Sequence, residues 1–313
     1  MEKLTIFEQS DYLDHLPKKL RDFRLKNWHY WSVKTPDFFL GSAVVQLNYL
    51  AKMFFYAFDL KENKLVEYSG LSLGGRHLEM DAQKSRWHKG NKSIRIQENS
   101  YFEFELPKIS GKLNFISLSK DFELLHEFEK KNQLALTKKN STYRVKGQVQ
   151  FQGQNYEVME DQSFGVTDWT KSWAKRITTW KWASFSGKDK ENKFHLGLNL
   201  STQVYEDSQG NGKENILWIN ETAYILKNAH ITPPSNPTST HNKCWNISAI
   251  GEKVSVKLTL IPLGVRKDYT NVGILKSDFI QPFGYYNGTI EMENQTIFVE
   301  NLFGVAEEHY AKW

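Results

Sequence analysis

A single cysteine, Cys244, in 313 residues rules out an internal disulfide and any metal site built from several thiolates. That usage fits a reducing compartment, and the cytoplasm is the expected location. Met1–Arg24 is charged throughout and lacks the uninterrupted apolar core of a secretory signal. The longest apolar-looking stretch, LGSAVVQLNYLAKMFFYAFDL, is interrupted by Gln46, Asn48 and Lys52, so no integral membrane segment is expected. Nor does charge of one sign accumulate: 41 basic residues face 36 acidic ones, and no Lys/Arg run is long enough to form a phosphate-binding stripe. Nucleic acid is therefore not an expected partner. Gly-x-Ser-x-Gly, the phosphate-binding Gly-x-x-x-x-Gly-Lys-Ser/Thr and His-Glu-x-x-His are all missing, so no nucleotide or redox cofactor and no metal is expected.

What the chain does have is aromatic side chains, 14% of its residues, a fraction that tilts towards strands because flat rings pack well on a pleated surface. Period-two patterns follow. YFEFEL (101–106) sets Phe102, Phe104 and Leu106 against Tyr101, Glu103 and Glu105, and KFHLGLNL (193–200) sets Phe194, Leu196, Leu198 and Leu200 against His195, Gly197 and Asn199. YRVKGQVQFQGQNYEV (143–158) reads as two short strands about QGQN, and EKVSVKLTLIPLG (252–264) is another alternating run. DFELLHEFEKK (121–131) is the one convincing helical pattern, with Phe122, Leu125 and Phe128 at helical spacing. The expected fold is all-β with few short helices. Length alone suggests two domains, at 1–140 and 141–313, with a linker zone at 136–150 and a Pro/Ser/Thr-rich loop at 231–243.

Four of the ten tryptophans fall in DQSFGVTDWTKSWAKRITTWKWASFSG (161–187) among Asp161, Asp168, Lys171, Lys175, Arg176 and Lys181. On a strand from Arg176 to Ser186, the even positions Arg176, Thr178, Trp180, Trp182, Ser184 and Ser186 mix indoles with a cation and hydroxyls. A pocket wall has that composition, apolar area giving affinity and a few polar groups fixing orientation. Paired as a hairpin with the next strand, it would add His195, Gly197 and Asn199. The competing reading is that Trp180 and Trp182 fill a core while Arg176 hydrogen-bonds at an edge.

That stretch, together with LGLNL, ENILWINETAYIL and the ending FGVAEEHYAKW, resembles a bacterial family known only as domain of unknown function 2804, most clearly from Thr142 to Trp313. Its members are more remotely similar to carotenoid 1,2-hydratases and tocopherol cyclases, proteins made of two lipocalin-like β-barrels. The resemblance implies two such antiparallel barrels in tandem and a pocket for an apolar ligand. Relatives commonly carry Arg-Gly after Asp-Trp-Thr, where this chain has Lys171, Ser172 and Trp173.

By analogy, the implied chemistry is proton addition to a carbon–carbon double bond. It needs a carboxylic acid in an apolar pocket and aromatic faces for the developing cation. Asp168, beside Trp169, is the first candidate acid and Asp161 the second, with Trp180 and Trp182 as walls. Against this stands the reading that both aspartates cap turns or pair with Lys171, Arg176 or another cation. On an extended tail, Glu307 and His309 share a face with Phe303, Val305 and Trp313, placed either to relay protons or bind a metal, or to tie down the last strand. Glu-x-His alone lacks the further ligands of a zinc site. Glu214 and Asn215 either border the pocket or satisfy backbone groups in a loop. Two functions are consistent with these residues: a cofactor-free hydratase or cyclase acting on a hydrophobic small molecule such as an isoprenoid or polyketide, and a lipocalin-like carrier that binds such a molecule unchanged. The oligomeric state is not encoded in any of these patterns.

Overall fold

A computed structural model describes residues 2–207, 209–239, 244–273 and 275–313. The chain divides into two compact units, Met1–Ala174 and Lys175–Trp313. Both are antiparallel β-structures, and among the described residues only two short helices occur, α1 (Glu2–Glu8) and α2 (Lys18–Asp22). Neither is long and apolar enough to cross a membrane.

The first unit contains β1 (Lys26–Lys34), β2 (Phe38–Gln46), β3 (Leu50–Asp59), β4 (Lys64–Leu73), β5 (Leu78–Met80), β6 (Lys84–Lys89) and β7 (Lys92–Gln97). It continues with β8 (Tyr101–Leu106), β9 (Ile109–Ser117), β10 (Phe122–Glu127), β11 (Leu134–Phe151), β12 (Gln154–Val158) and β13 (Phe164–Ser172). They form one nearly closed barrel in the order β4-β3-β2-β1-β13-β11-β9-β8-β7-β6-β5, with β10 and β12 also paired to β11. The alternation of β8 is realised: Phe102, Phe104 and Leu106 point into a core with Trp31, Phe55, Trp87 and Phe115. Asparagines at positive φ, such as Asn48, Asn63 and Asn132, serve its turns, because asparagine tolerates the left-handed region better than most residues.

The second unit is a closed eight-stranded barrel of β14 (Ile177–Lys188), β15 (His195–Thr202), β16 (Ile216–Ile219), β17 (Thr222–Thr232), β18 (Trp245–Gly251), β19 (Val254–Asn271), β20 (Lys276–Met292) and β21 (Gln295–Lys312). Each strand pairs with its sequence neighbour, and β21 returns to β14, with Ile177 opposite Lys312 and Phe185 opposite Gly304. Its interior is filled by Ala183, Phe185, Leu198, Trp245, Leu258, Tyr286 and their neighbours. Gly304 permits the closing ladder: a Cβ there would lie 2.4 Å from the Ser184 carbonyl oxygen. The Pro/Ser/Thr-rich stretch at 231–243 is the β17–β18 connection, of which 240–243 lie outside the described residues.

Three expectations are corrected. Residues 122–127 form a strand rather than a helix, because Phe122, Leu125 and Glu127 find partners in Lys139, Leu136 and Leu134 of β11, and that ladder overrides a short helical spacing. The supposed linker at 136–150 is the body of β11, held between β9 and β13. Residues 141–174, which the 1–140 and 141–313 division assigned to the second domain, accordingly pair within the first sheet.

Candidate functional site

In β14, Ala183 and Phe185 enter the barrel core, so by strand alternation Trp180, Trp182, Ser184 and Ser186 occupy the outward face. In β21 the same logic sends Ala306 inward and Glu307 and His309 outward, and the register sets Trp182 opposite Glu307 and Trp180 opposite His309. This outward face is nonetheless buried: Trp182, Ser184 and Glu307 are all largely covered.

The carboxyl group of Glu307 is its centre. Trp180 Nε1 donates to Oε1 at 2.7 Å, and Gln281 Nε2 donates to Oε2 at 2.9 Å, so each oxygen has its own donor and the carboxyl plane is fixed. His309 Nδ1 lies 3.8 Å from Oε1, while its Nε2 shares a 2.8 Å hydrogen bond with Ser277 Oγ. Aromatic rings enclose the pair. Trp180 meets the His309 ring at 4.2 Å between centroids, Trp313 stacks on Trp180 at 6.1 Å, and Phe279 approaches His309 edge-on at 5.2 Å. On the neighbouring strand, buried Arg266 lies 5.1 Å over Phe279 and bonds Asp268 at 2.8 Å. A carboxyl group among indole and phenyl faces, with an imidazole and a hydroxyl behind it, can deliver a proton and can exchange one with its neighbour.

A second tier supports Trp182. Its Nε1 donates to Asn199 Oδ1 at 2.8 Å, and Asn199 Nδ2 donates to the Glu214 carbonyl at 2.7 Å. Asn215 Oδ1 accepts from the Ser201 backbone N–H at 2.6 Å, which assigns Asn215 to backbone satisfaction. Trp313 is anchored by its backbone N–H to the Arg176 carbonyl and by Nε1 to the Lys175 carbonyl, whereas the Arg176 side chain is exposed.

The other sequence candidates lie in the first unit. Asp168 is buried, but it faces a cation: Lys139 Nζ sits 2.6 Å from Oδ2, and Thr170 Oγ1 donates to Oδ1 at 3.2 Å. Trp169, on the opposite face of β13, packs with Phe7, Leu134, Leu136 and Trp173. Asp161 is exposed in the turn before β13. The structure thus brings together Glu307, His309, Trp180, Trp182, Asn199 and Trp313 in the second unit, while Asp161, Asp168 and Trp169 belong to the first. Gln281, Ser277 and Phe279 escaped the sequence reading. Gln281 did carry a signal, as a lone amide inside the apolar run Phe279-Ile280-Gln281-Pro282-Phe283. Among the described residues, no group of three or more His, Cys, Asp or Glu side chains is placed to hold a metal ion.

The sequence matches the family described as Domain of unknown function (DUF2804) over residues 9–313. No curated protein matches it in sequence. Among solved structures it is similar to kievitone hydratase from Nectria haematococca, with a TM-score of 0.60 at 10% identity, covering 91% of this chain and 88% of that one. It is also similar to CghA (TM-score 0.58, 10% identity, 91% and 87% covered), which has also been solved with Sch210972. An AttH-like protein from Nitrosomonas europaea superposes with a TM-score of 0.55 at 10% identity over 92% and 93% of the two chains. At these identities the likeness shows a shared fold.

Proposed function

We propose that this chain, which belongs to the DUF2804 family, binds a lipophilic small molecule against the outward face of its closed barrel and acts on it as a cofactor-free, acid-assisted hydratase or cyclase. The observation that carries the proposal is the Glu307 carboxyl group, buried and held by two N–H donors among Trp180, Phe279 and Trp313. The hydratase among the structural neighbours supports the reaction class. The single cysteine supports a cytoplasmic setting.

The step is proton addition. Glu307 gives its proton to one carbon of a double bond, the π pair becomes the new C–H bond, and positive charge develops on the adjacent carbon, facing aromatic quadrupoles. Water or an internal nucleophile then forms the second bond. His309, whose Nε2 bonds Ser277, takes up the proton released by that nucleophile and returns it through Nδ1 to Glu307. Asp168 enters no step, because its carboxylate faces the Lys139 ammonium.

The test begins with mass spectrometry of a native extract before and after incubation with the protein, to find a compound that gains one water or changes structure at constant mass. Tryptophan fluorescence titration then measures its binding. Glu307→Gln keeps the shape of the side chain and removes the acidic proton, so affinity should persist while turnover falls by about 10²–10⁴-fold. Trp180→Ala should weaken binding by about 1–3 kcal/mol. A carrier would lose nothing on Glu307→Gln, and that result would reject the catalytic reading.

A further inference from the structure

Throughout the second barrel every strand is joined to both neighbours by a backbone ladder, whereas in the first the sheet path ends at β4 on one side and at β5 on the other. Along the outer edge of β4, side-chain bonds bridge to the facing hairpin tips. Lys89 Nζ donates to the Leu71 carbonyl at 2.6 Å and Lys92 Nζ to the Ser69 carbonyl at 3.0 Å, both from the β6–β7 hairpin tip. Tyr68 Oη donates to the Pro107 carbonyl at the β8–β9 tip. Beneath them the Trp87 indole lies against Gly70, where a Cβ would stand 2.7 Å from Cζ2, so only glycine lets the ring reach across. Lysine bonds at the surface are individually weak and readily exchanged for water.

The interior behind this seam is also different. It contains His29, whose Nδ1 is 3.1 Å from Ser85 Oγ on β6. The His29 ring also meets the Asn99 side chain, and beside it Trp31 Nε1 and Trp87 Nε1 are buried without a hydrogen-bond partner, as Trp245 Nε1 is in the core of the second barrel among the described residues. Buried polar atoms of this kind are costly unless something pairs with them. We propose that β4 is a hinged edge along which the first barrel opens, admitting a small hydrogen-bonding molecule to His29. Opening the seam breaks these side-chain bonds and lifts Val66 and Tyr68 off the core, but it breaks no ladder.

The proposal is independent of the chemistry assigned to Glu307 and is tested without a natural ligand. The small probe is diethyl pyrocarbonate, whose carbonyl carbon is attacked by a neutral imidazole nitrogen with loss of ethyl carbonate. On the full chain, peptide-resolved mass spectrometry should show His29 modified slowly, and faster by about tenfold in Lys89→Ala/Lys92→Ala, while Lys190→Ala, which breaks an exposed ion pair in the second barrel, leaves the rate unchanged. Hydrogen exchange should accelerate in 64–73 and 84–97 of the double variant and nowhere else. If His29 is inert in both proteins, or if it reacts at a rate that follows global unfolding in denaturant, the seam does not open and the proposal fails. If the double variant is globally unstable, exchange in the wild-type chain decides: protection in β4 equal to that in β8 overturns the hinge.

Discussion

The two barrels solve the same topological problem with different bonds. The second closes β21 onto β14 through a continuous ladder from Ile177 and Lys312 to Phe185 and Gly304, and encloses an apolar interior in which the Tyr286 hydroxyl donates to the Val305 carbonyl. The first leaves a seam at β4 and keeps an imidazole inside. The candidate site sits on the closing ladder itself, since Trp182 opposes Glu307 and Trp180 opposes His309. Backbone pairing on both sides therefore sets the separation of acid and aromatic wall, the kind of rigid support that catalytic geometry needs. The barrel with the firmer closure holds the proposed chemistry, and the one with the looser closure is free to move.

The comparison breaks most completely if the ladder is removed. Deleting residues 307–313 takes away the partners of Ile177–Trp182 and exposes the edge of β14, so the second unit should lose its cooperative folding transition while exchange protection in β8 and β9 persists. Equal loss in both units would show that neither barrel is stable alone. Acid should act in the opposite direction. Burial lowers the His29 pKa from 6.5 to about 3, with the Asn99 side chain pulling weakly the other way. Between those values the unfolded chain binds a proton that the folded chain does not, so this histidine withdraws stability as pH falls from about 6.5 towards 3, by up to about 1.4 kcal/mol per pH unit. In denaturant titrations across that window, His29→Gln should flatten the slope for the first unit and leave that of the second as it is. The smallest effect is expected at the hydrogen bond that ties the ladder to the site. Trp180→Phe keeps the ring and removes the donor to Glu307, and should cost the second unit about 1–3 kcal/mol, read as a shifted denaturation midpoint with an unchanged slope.

The all-β class was legible because apolar alternation survives wherever one face is buried, as in β8 and β19. It failed at β11, where Thr137 meets Thr170, Lys139 meets Asp168 and Asn140 bonds Ser117 and Asp121, so a central strand reads as a polar linker. In β10, three apolar residues at helical spacing were decided by a partner strand that local sequence does not announce. The same limit shaped the site. The tryptophans of β14 and the Glu-x-His of β21 stand out as patterns, but the Lys139 that neutralises Asp168 and the Gln281 that holds Glu307 are supplied by strands far away in the chain.

The β14–β21 ladder also orders events during synthesis. β14 emerges from the ribosome first among the strands of its barrel, and its partner, Glu307 to Lys312, is made last. At about 5–20 residues per second, β14 waits several seconds with one edge bare and with Trp180 and Trp182 uncovered. Its hairpin with β15 can form at once, while closure waits for β21 and contends with pairing between nascent chains. The exposed charges of Lys175 and Arg176, at the very start of that edge, stand where a charged residue most discourages such pairing.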